Sequence, residues 1–105
     1  LITVLAGGVG AARFLRGLAG IHAEEDIVVI SNTADDFEFY DLHISPDIDI
    51  VMYTLAGLVD EEKGWGIEQD TFHCQETLGR LGYETWFKLG DRDLATHVYR
   101  TNQLR

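Results

Sequence analysis

The sequence predicts an α/β fold: a Rossmann-like parallel sheet core flanked by helices, incomplete at the C-terminal end. Two observations give the class. A short apolar, β-branched run, Ile2–Ala6, ends at Gly7–Gly8 and passes straight into a helical pattern. A second apolar run, Ile27–Ile30, follows that helix, so strand, glycine turn, helix and strand appear in the order of a βαβ unit with a right-handed crossover. Size and composition bound it: 105 residues, 46% hydrophobic and 10% aromatic, support one globular domain.

Each element has a local reason. Ala12, Leu15 and Leu18 recur at helical spacing within Ala11–Leu18, with Arg13 and Arg16 between them. The unbroken run Ile27–Ile30 is the pattern of a strand covered on both faces. Phe37–Tyr40 and Leu42–Ile44 read as two short strands about Asp41, a hairpin. Ser45 suits an N-cap and Pro46 the first turn of a helix running to about Ala56 and ending at Gly57. "DEEKGWG" is a polar loop, and "DTFHCQETLGRLG" a helix closed by Gly82. Trp86–Leu89 reads as a short buried strand contributing Trp86 and Phe87 to the core. "GDRD" then opens a last helix, Leu94–Leu104, capped by Asp91 or Asp93. The chain opens without methionine inside a strand-like run and stops in a helical pattern, as expected for the N-terminal part of a single longer domain.

Charge and cysteine usage exclude several classes. Eight basic and 18 acidic residues give a formal charge of −10, which argues against nucleic-acid or anionic-membrane partners. An acidic protein that handles phosphates usually recruits Mg²⁺. Cys74 is alone, so no internal disulfide forms and a cytoplasmic location is the default expectation. No apolar run approaches the ~20 residues of a membrane-spanning helix. His22, His43, His73 and His97 show no zinc-like spacing.

Two stretches carry the chemistry. In "LAGGVGAARF" the glycines Gly7, Gly8 and Gly10 let backbone approach a ligand, and the helix N-terminus attracts phosphate. Arg13 stands where the third glycine of a dinucleotide fingerprint belongs, and in the first turns it adds positive charge. In "NTADDFEFYDLHISPDID", Asp35 and Asp36 follow the second strand, while Asp47 and Asp49 open the next helix. One carboxylate from each loop suffices for Mg²⁺ held jointly with substrate phosphates. An Asx-type turn and favourable charge at a helix N-terminus explain the same aspartates without any ligand. "GWG" sets Trp65 between two glycines, either as an aromatic wall for a flat ligand or as a plug in an apolar seam. "GDRDLATHVYRT" gathers Asp91, Arg92, Asp93, His97 and Arg100, with His97 and Arg100 on one helix face.

"LAGGVGAARFLRGL", "NTADD", "SPDID", "GWG" and "WFKLGDRDLATHVYRT" together resemble the N-terminal third of the 2-phospho-L-lactate transferases of deazaflavin coenzyme F-420 biosynthesis. The resemblance implies a Mg²⁺-dependent enzyme. It would move a phospholactyl or phosphoenolpyruvyl group from a guanosine-diphosphate donor to the ribityl hydroxyl of a 5-deazaflavin acceptor, releasing GMP. It further implies that Gly7, Gly8, Gly10 and Arg13 face the donor phosphates. Asp35 and Asp36 become the catalytic carboxylates, Asp35 and Asp47 the metal ligands, and Asn32, Trp65, Asp91, Arg92 and His97 further substrate-binding residues. A homodimer is compatible with the same resemblance. Val9 and Ala11 depart from the family wording, where threonine and glycine are common. Two other readings share the βαβ start: an NAD(P)-dependent Rossmann oxidoreductase and a non-catalytic nucleotide-binding module. Against the first stand the missing third glycine and Asn32–Thr33 near the expected ribose-binding acid.

Overall fold

The computed structural model describes residues 1–105 and has two small cores. In the first, β1 (Ile2–Ala6) pairs in parallel with β2 (Ile27–Ser31), in register from Ile2 opposite Ile27 to Ala6 opposite Ser31. The connection is α1 (Val9–Ala19) followed by a short 3₁₀ turn at Glu24–Asp26. Ala12 and Leu15 of α1 pack on Ala6 and on Val51 of α2 (Pro46–Leu55), with Val4, Ile27 and Val29 beside them.

The pleat sends alternate residues to opposite faces, so Leu5, Val28 and Ile30 point away from both helices and remain exposed. Ile27–Ile30 is therefore covered on one face only, which corrects the double cover predicted from its continuous apolarity. Both α1 and α2 lie on the same side of the sheet.

The second core forms around the hairpin of β3 (Phe37–Phe39) and β4 (Leu42–Ile44), with Phe39, Ile44 and Leu89 at its centre. Its two-residue turn, Tyr40–Asp41, has φ of 54° and 59°, the mirror-image geometry that matches strand twist. Trp86–Leu89 packs here but is not a strand. Gln75 of α3 (His73–Arg80) takes the place of a neighbouring strand: its side-chain amide donates to Phe87 O and accepts from Leu89 N. Phe87 is half-buried, whereas Trp86 is 67% exposed and stacks on Phe37 rather than entering the core.

The helix starts differ from expectation in an instructive way. Ser45 holds the N-cap position of α2, but its hydroxyl donates to Asp36 Oδ2 and not to the helix. The last helix, α4 (Asp91–Gln103), begins three residues early and its N-cap is Gly90. The cap is supplied from outside: the Asp70 carboxylate accepts from Arg92 N and Asp93 N at 2.9 and 3.1 Å. Asp91 returns the arrangement, accepting from His73 N and Cys74 N at the start of α3 and from the Thr71 hydroxyl. Any Cβ on Gly90 would collide with the Asp70 carboxylate, so this exchange requires glycine.

Candidate metal and substrate site

Three chain segments meet beyond the carboxyl ends of β1 and β2. Gly7–Gly8 ends β1 and opens α1, whose first N–H groups have no intrahelical acceptors. Asn32 extends β2 by donating its backbone N–H to Ala6 O. Its side-chain oxygen accepts from Ala34 N, and its amide donates to Asp47 Oδ2 at 2.9 Å. Asp47, in the first turn of α2, thereby sits over the glycine turn. Its Oδ1 lies 3.5 Å from the place a Cβ on Gly8 would occupy.

The two adjacent aspartates have different fates. Asp36 accepts at Oδ2 from the Ser45 hydroxyl at 2.8 Å and meets His43 Nε2 at 3.0 Å, while its Oδ1 is buried with no hydrogen-bond partner. Asp35 is exposed and its side chain has no hydrogen bond or ion pair. Gly7 and Gly10 face open space. Arg13 points along a groove with Val9, Arg16, Glu61 and Gly64, on the flank of α1.

Two residues after Asp47, Asp49 turns inward, as residues two apart on a helix do not share a face. It is 5% exposed and forms an ion pair with Arg100 of α4. Arg100 also donates to His43 O at 3.1 Å and meets His97 Nδ1 at 3.3 Å. A guanidinium only donates, so this contact is a hydrogen bond in the tautomer with Nδ1 free to accept; Asp49 Oδ2 lies 3.6 Å from the same nitrogen. The ring's Nε2 is buried, has no hydrogen-bond partner, and lies 3.3 Å from Asp93 Oδ1. Tyr53 donates to the same oxygen at 2.6 Å.

Burial pushes the Asp49 carboxyl up from its ordinary value, and Arg100 opposes this. Burial, followed by the hydrogen bond to Asp93, pushes the Tyr53 hydroxyl up as well, which keeps it a donor. Asp49, Asp93 and His97 offer ligand atoms within 4.8 Å of one another. Arg100 already neutralises Asp49 and Tyr53 occupies Asp93, so this network serves first to lock α2 to α4. The sequence pointed to His97 and Arg100 on one face. The roles of Asp49 and Tyr53 are set by the crossing of α2 and α4, which no local pattern encodes.

Beside this network lies a cavity of about 430 Å³, lined by Trp65, Trp86, Ile50, Tyr53, Asp93 and His97 among others. Gly64 and Gly66 have φ of 83° and 72°, a left-handed geometry that turns the loop tightly enough to present Trp65. The loop is closed by pairing of Val59 with Ile67. The structure thus groups Gly8, Asn32 and Asp47 at the sheet edge, and Trp65 with His97 at the cavity. Asp91 and Arg92 line neither: Asp91 caps α3, and Arg92 is exposed. Hydrogen bonds from the Thr71 hydroxyl, then Cys74 N, hold the Asp91 carboxyl below its ordinary value.

Comparison with known proteins adds an independent line. The family model of 2-phospho-L-lactate transferase CofD matches residues 2–105. A phosphoenolpyruvate transferase of Streptomyces avermitilis is 54% identical over 104 residues, covering 98% of this chain and 33% of the relative. The enzyme of that name from Streptomyces coelicolor is 53% identical with the same coverage. One from Mycobacterium ulcerans is 47% identical over 116 residues, covering 99% of this chain and 35% of the relative. The chain therefore spans about one third of the length of the curated relatives it matches.

Proposed function

The chain belongs to the 2-phospho-L-lactate transferase CofD family, and on that basis we propose that its protein moves a phosphoenolpyruvyl or 2-phospholactyl group from a guanosine-diphosphate donor to the ribityl hydroxyl of a 5-deazaflavin. The names of the relatives favour the phosphoenolpyruvyl donor. The observation that carries the reading is Asp47 directly above the glycine turn. A carboxylate and a donor phosphate at one turn repel each other, and a divalent cation held by Asp47 would offset that repulsion.

The residues present fit Mg²⁺. Asp47, with Asp35 or Asp36 from the other loop, offers hard oxygen ligands, and Asp36 Oδ1 is buried without a partner. Bound there, Mg²⁺ would supply charge stabilisation to the phosphoryl oxygens. The glycine-turn amides of Gly8 and Gly10 orient the donor phosphates, and Asn32 holds Asp47 in place. Trp65 gives a wall for the flat acceptor ring, and His97, held in the network between α2 and α4, lines the same cavity.

Chemistry is an in-line displacement. The acceptor oxygen forms a bond to the phosphorus nearer the transferred group, the bond from that phosphorus to the GMP oxygen breaks, and the hydroxyl proton passes to Asp35 or Asp36.

Mass spectrometry of a reaction containing acceptor, either donor and Mg²⁺ or EDTA tests the proposal. A Mg²⁺-dependent adduct plus an equal amount of GMP is expected. No adduct from folded protein with either donor would overturn it, and donor binding without turnover would favour a non-catalytic module. In the same assay, asparagine at the true base should cut turnover by about 10²–10⁴, and near-normal rates for both Asp35→Asn and Asp36→Asn would rule out both.

A further inference from the structure

The distribution of positive charge points to a second site. Of eight cationic side chains, Arg16 pairs with Glu61 and Arg100 with Asp49. Three of the others, Lys63, Arg80 and Lys88, line one open groove of about 780 Å³ between α3 and the loop carrying Trp65. None of the three forms an ion pair, although acidic residues outnumber basic ones by 18 to 8. Glu76 is the single acidic residue in the lining.

Like charges gathered in a groove repel one another, and here the lysine on the loop itself, Lys63, lies over ring faces. Lys63 Nζ lies 5.2 Å from the Trp65 ring centre and 5.1 Å from that of Phe72. Thr85 adds a hydroxyl to the same lining. Trp65 and Lys88 belong both to this groove and to the cavity containing His97, so the two spaces share a wall. One space is apolar and aromatic; the other is cationic.

We propose that the Lys63–Arg80–Lys88 groove binds the oxyanion of a small aromatic phosphate ester whose ring lies against Trp65. The phosphoryl group takes charge-assisted hydrogen bonds from the three cations. The ring supplies apolar contact, and neither part alone fills both spaces. The reading rests on Trp65 as the acceptor wall proposed above, with the groove as an added anion site that is separate from the glycine turn and requires no divalent metal.

Flavin mononucleotide and riboflavin separate the contributions when titrated calorimetrically into the protein in EDTA. The indole N–H resonance of Trp65, assigned by its loss in Trp65→Phe, serves as a local probe. Flavin mononucleotide should bind roughly tenfold or more tightly than riboflavin, about one charged hydrogen bond's worth, and should shift the Trp65 signal. Raising the ionic strength to about 0.5 M should remove most of that preference. The Lys63→Gln/Arg80→Gln/Lys88→Gln variant should bind both flavins alike, and Glu76→Gln should strengthen phosphate-ester binding.

Equal binding of the two flavins by the unmodified protein would overturn the proposal, as would a preference that survives in the triple variant. Flavin mononucleotide binding that leaves the Trp65 signal unmoved would place the ester elsewhere and overturn it too. No donor, Mg²⁺ or turnover enters these measurements, so their failure is distinct from failure of the transferase reading.

Discussion

Asn32 donates its side-chain amide to Asp47 Oδ2 at 2.9 Å, tying the end of β2 to the first turn of α2 directly over the glycine turn. The bond is exposed, so its share of global stability is small, but it fixes a carboxylate that would otherwise sample several rotamers. Asn32→Ala should therefore lower stability by no more than about 1 kcal/mol in urea unfolding. Turnover should fall by about 10–10², the usual scale for a misplacement near 1 Å. Loss of stability without loss of rate would show that Asp47 needs no such positioning.

Arg100 supplies the countercharge to a carboxylate that burial already disfavours. Arg100→Met leaves Asp49 ionised and unpaired in the interior, a change that costs about 3–5 kcal/mol. Because the carboxyl of Asp49 lies above its ordinary 3.8 in the folded state, folding favours its protonated form. The deficit of the variant should therefore grow as pH rises from about 4. Asp49→Leu/Arg100→Met should recover much of the loss, short of the part due to the Arg100 bond to His43 O. Urea midpoints at pH 4 and 7 decide this, and an unchanged deficit at both values would contradict it.

Gly90 admits the Asp70 carboxylate to the start of α4, where it serves two backbone N–H groups. Gly90→Ala must push Asp70 away and lose that external cap. The expected cost is about 1–2 kcal/mol, the range for loss of an N-cap. Asp70→Ala should cost a similar amount, and the double variant little more than either single one. Additive losses in thermal unfolding would show that the two residues act independently.

Asp91 gives a pH signature. Its folded carboxyl is held below the ordinary value by Thr71 and by backbone N–H groups of α3. The stability this provides is fully present above about pH 4, where the unfolded chain is also ionised, and is lost as pH falls through the lower folded value. The difference in Tm between the unmodified protein and Asp91→Ala should be largest near pH 6 and shrink below pH 4. A difference independent of pH would assign Asp91 a packing role only.

Local patterns made much of this fold legible. The β-branched run Ile2–Ala6, the spacing of Ala12, Leu15 and Leu18, and Ser45–Pro46 all lie where their periodicity or turn chemistry places them. What stayed hidden depends on contacts between distant residues. The start of α4 is set by Asp70, about twenty positions upstream, so Asp91 and Asp93 were natural but mistaken caps. Trp86–Leu89 has strand composition, yet the Gln75 amide satisfies its backbone groups and no neighbouring strand is needed. Asp35 and Asp36 look equivalent in sequence, and only the fold exposes one while burying an oxygen of the other. The pairing of Asp49 with Arg100 across 51 residues has no sequence signal at all.

The proposed role of Asp47 is to help hold Mg²⁺ where it would offset the charge of a donor phosphate on the glycine turn. Its most direct test is the Mg²⁺ dependence of GMP release by the unmodified protein and by Asp47→Asn. The account predicts turnover lower by about 10²–10³ at the Mg²⁺ level that saturates the unmodified protein, comparable to losing one preorganised charge-stabilising group, with partial recovery at higher Mg²⁺. An Asp47→Asn protein with unchanged rate and unchanged Mg²⁺ requirement would contradict it.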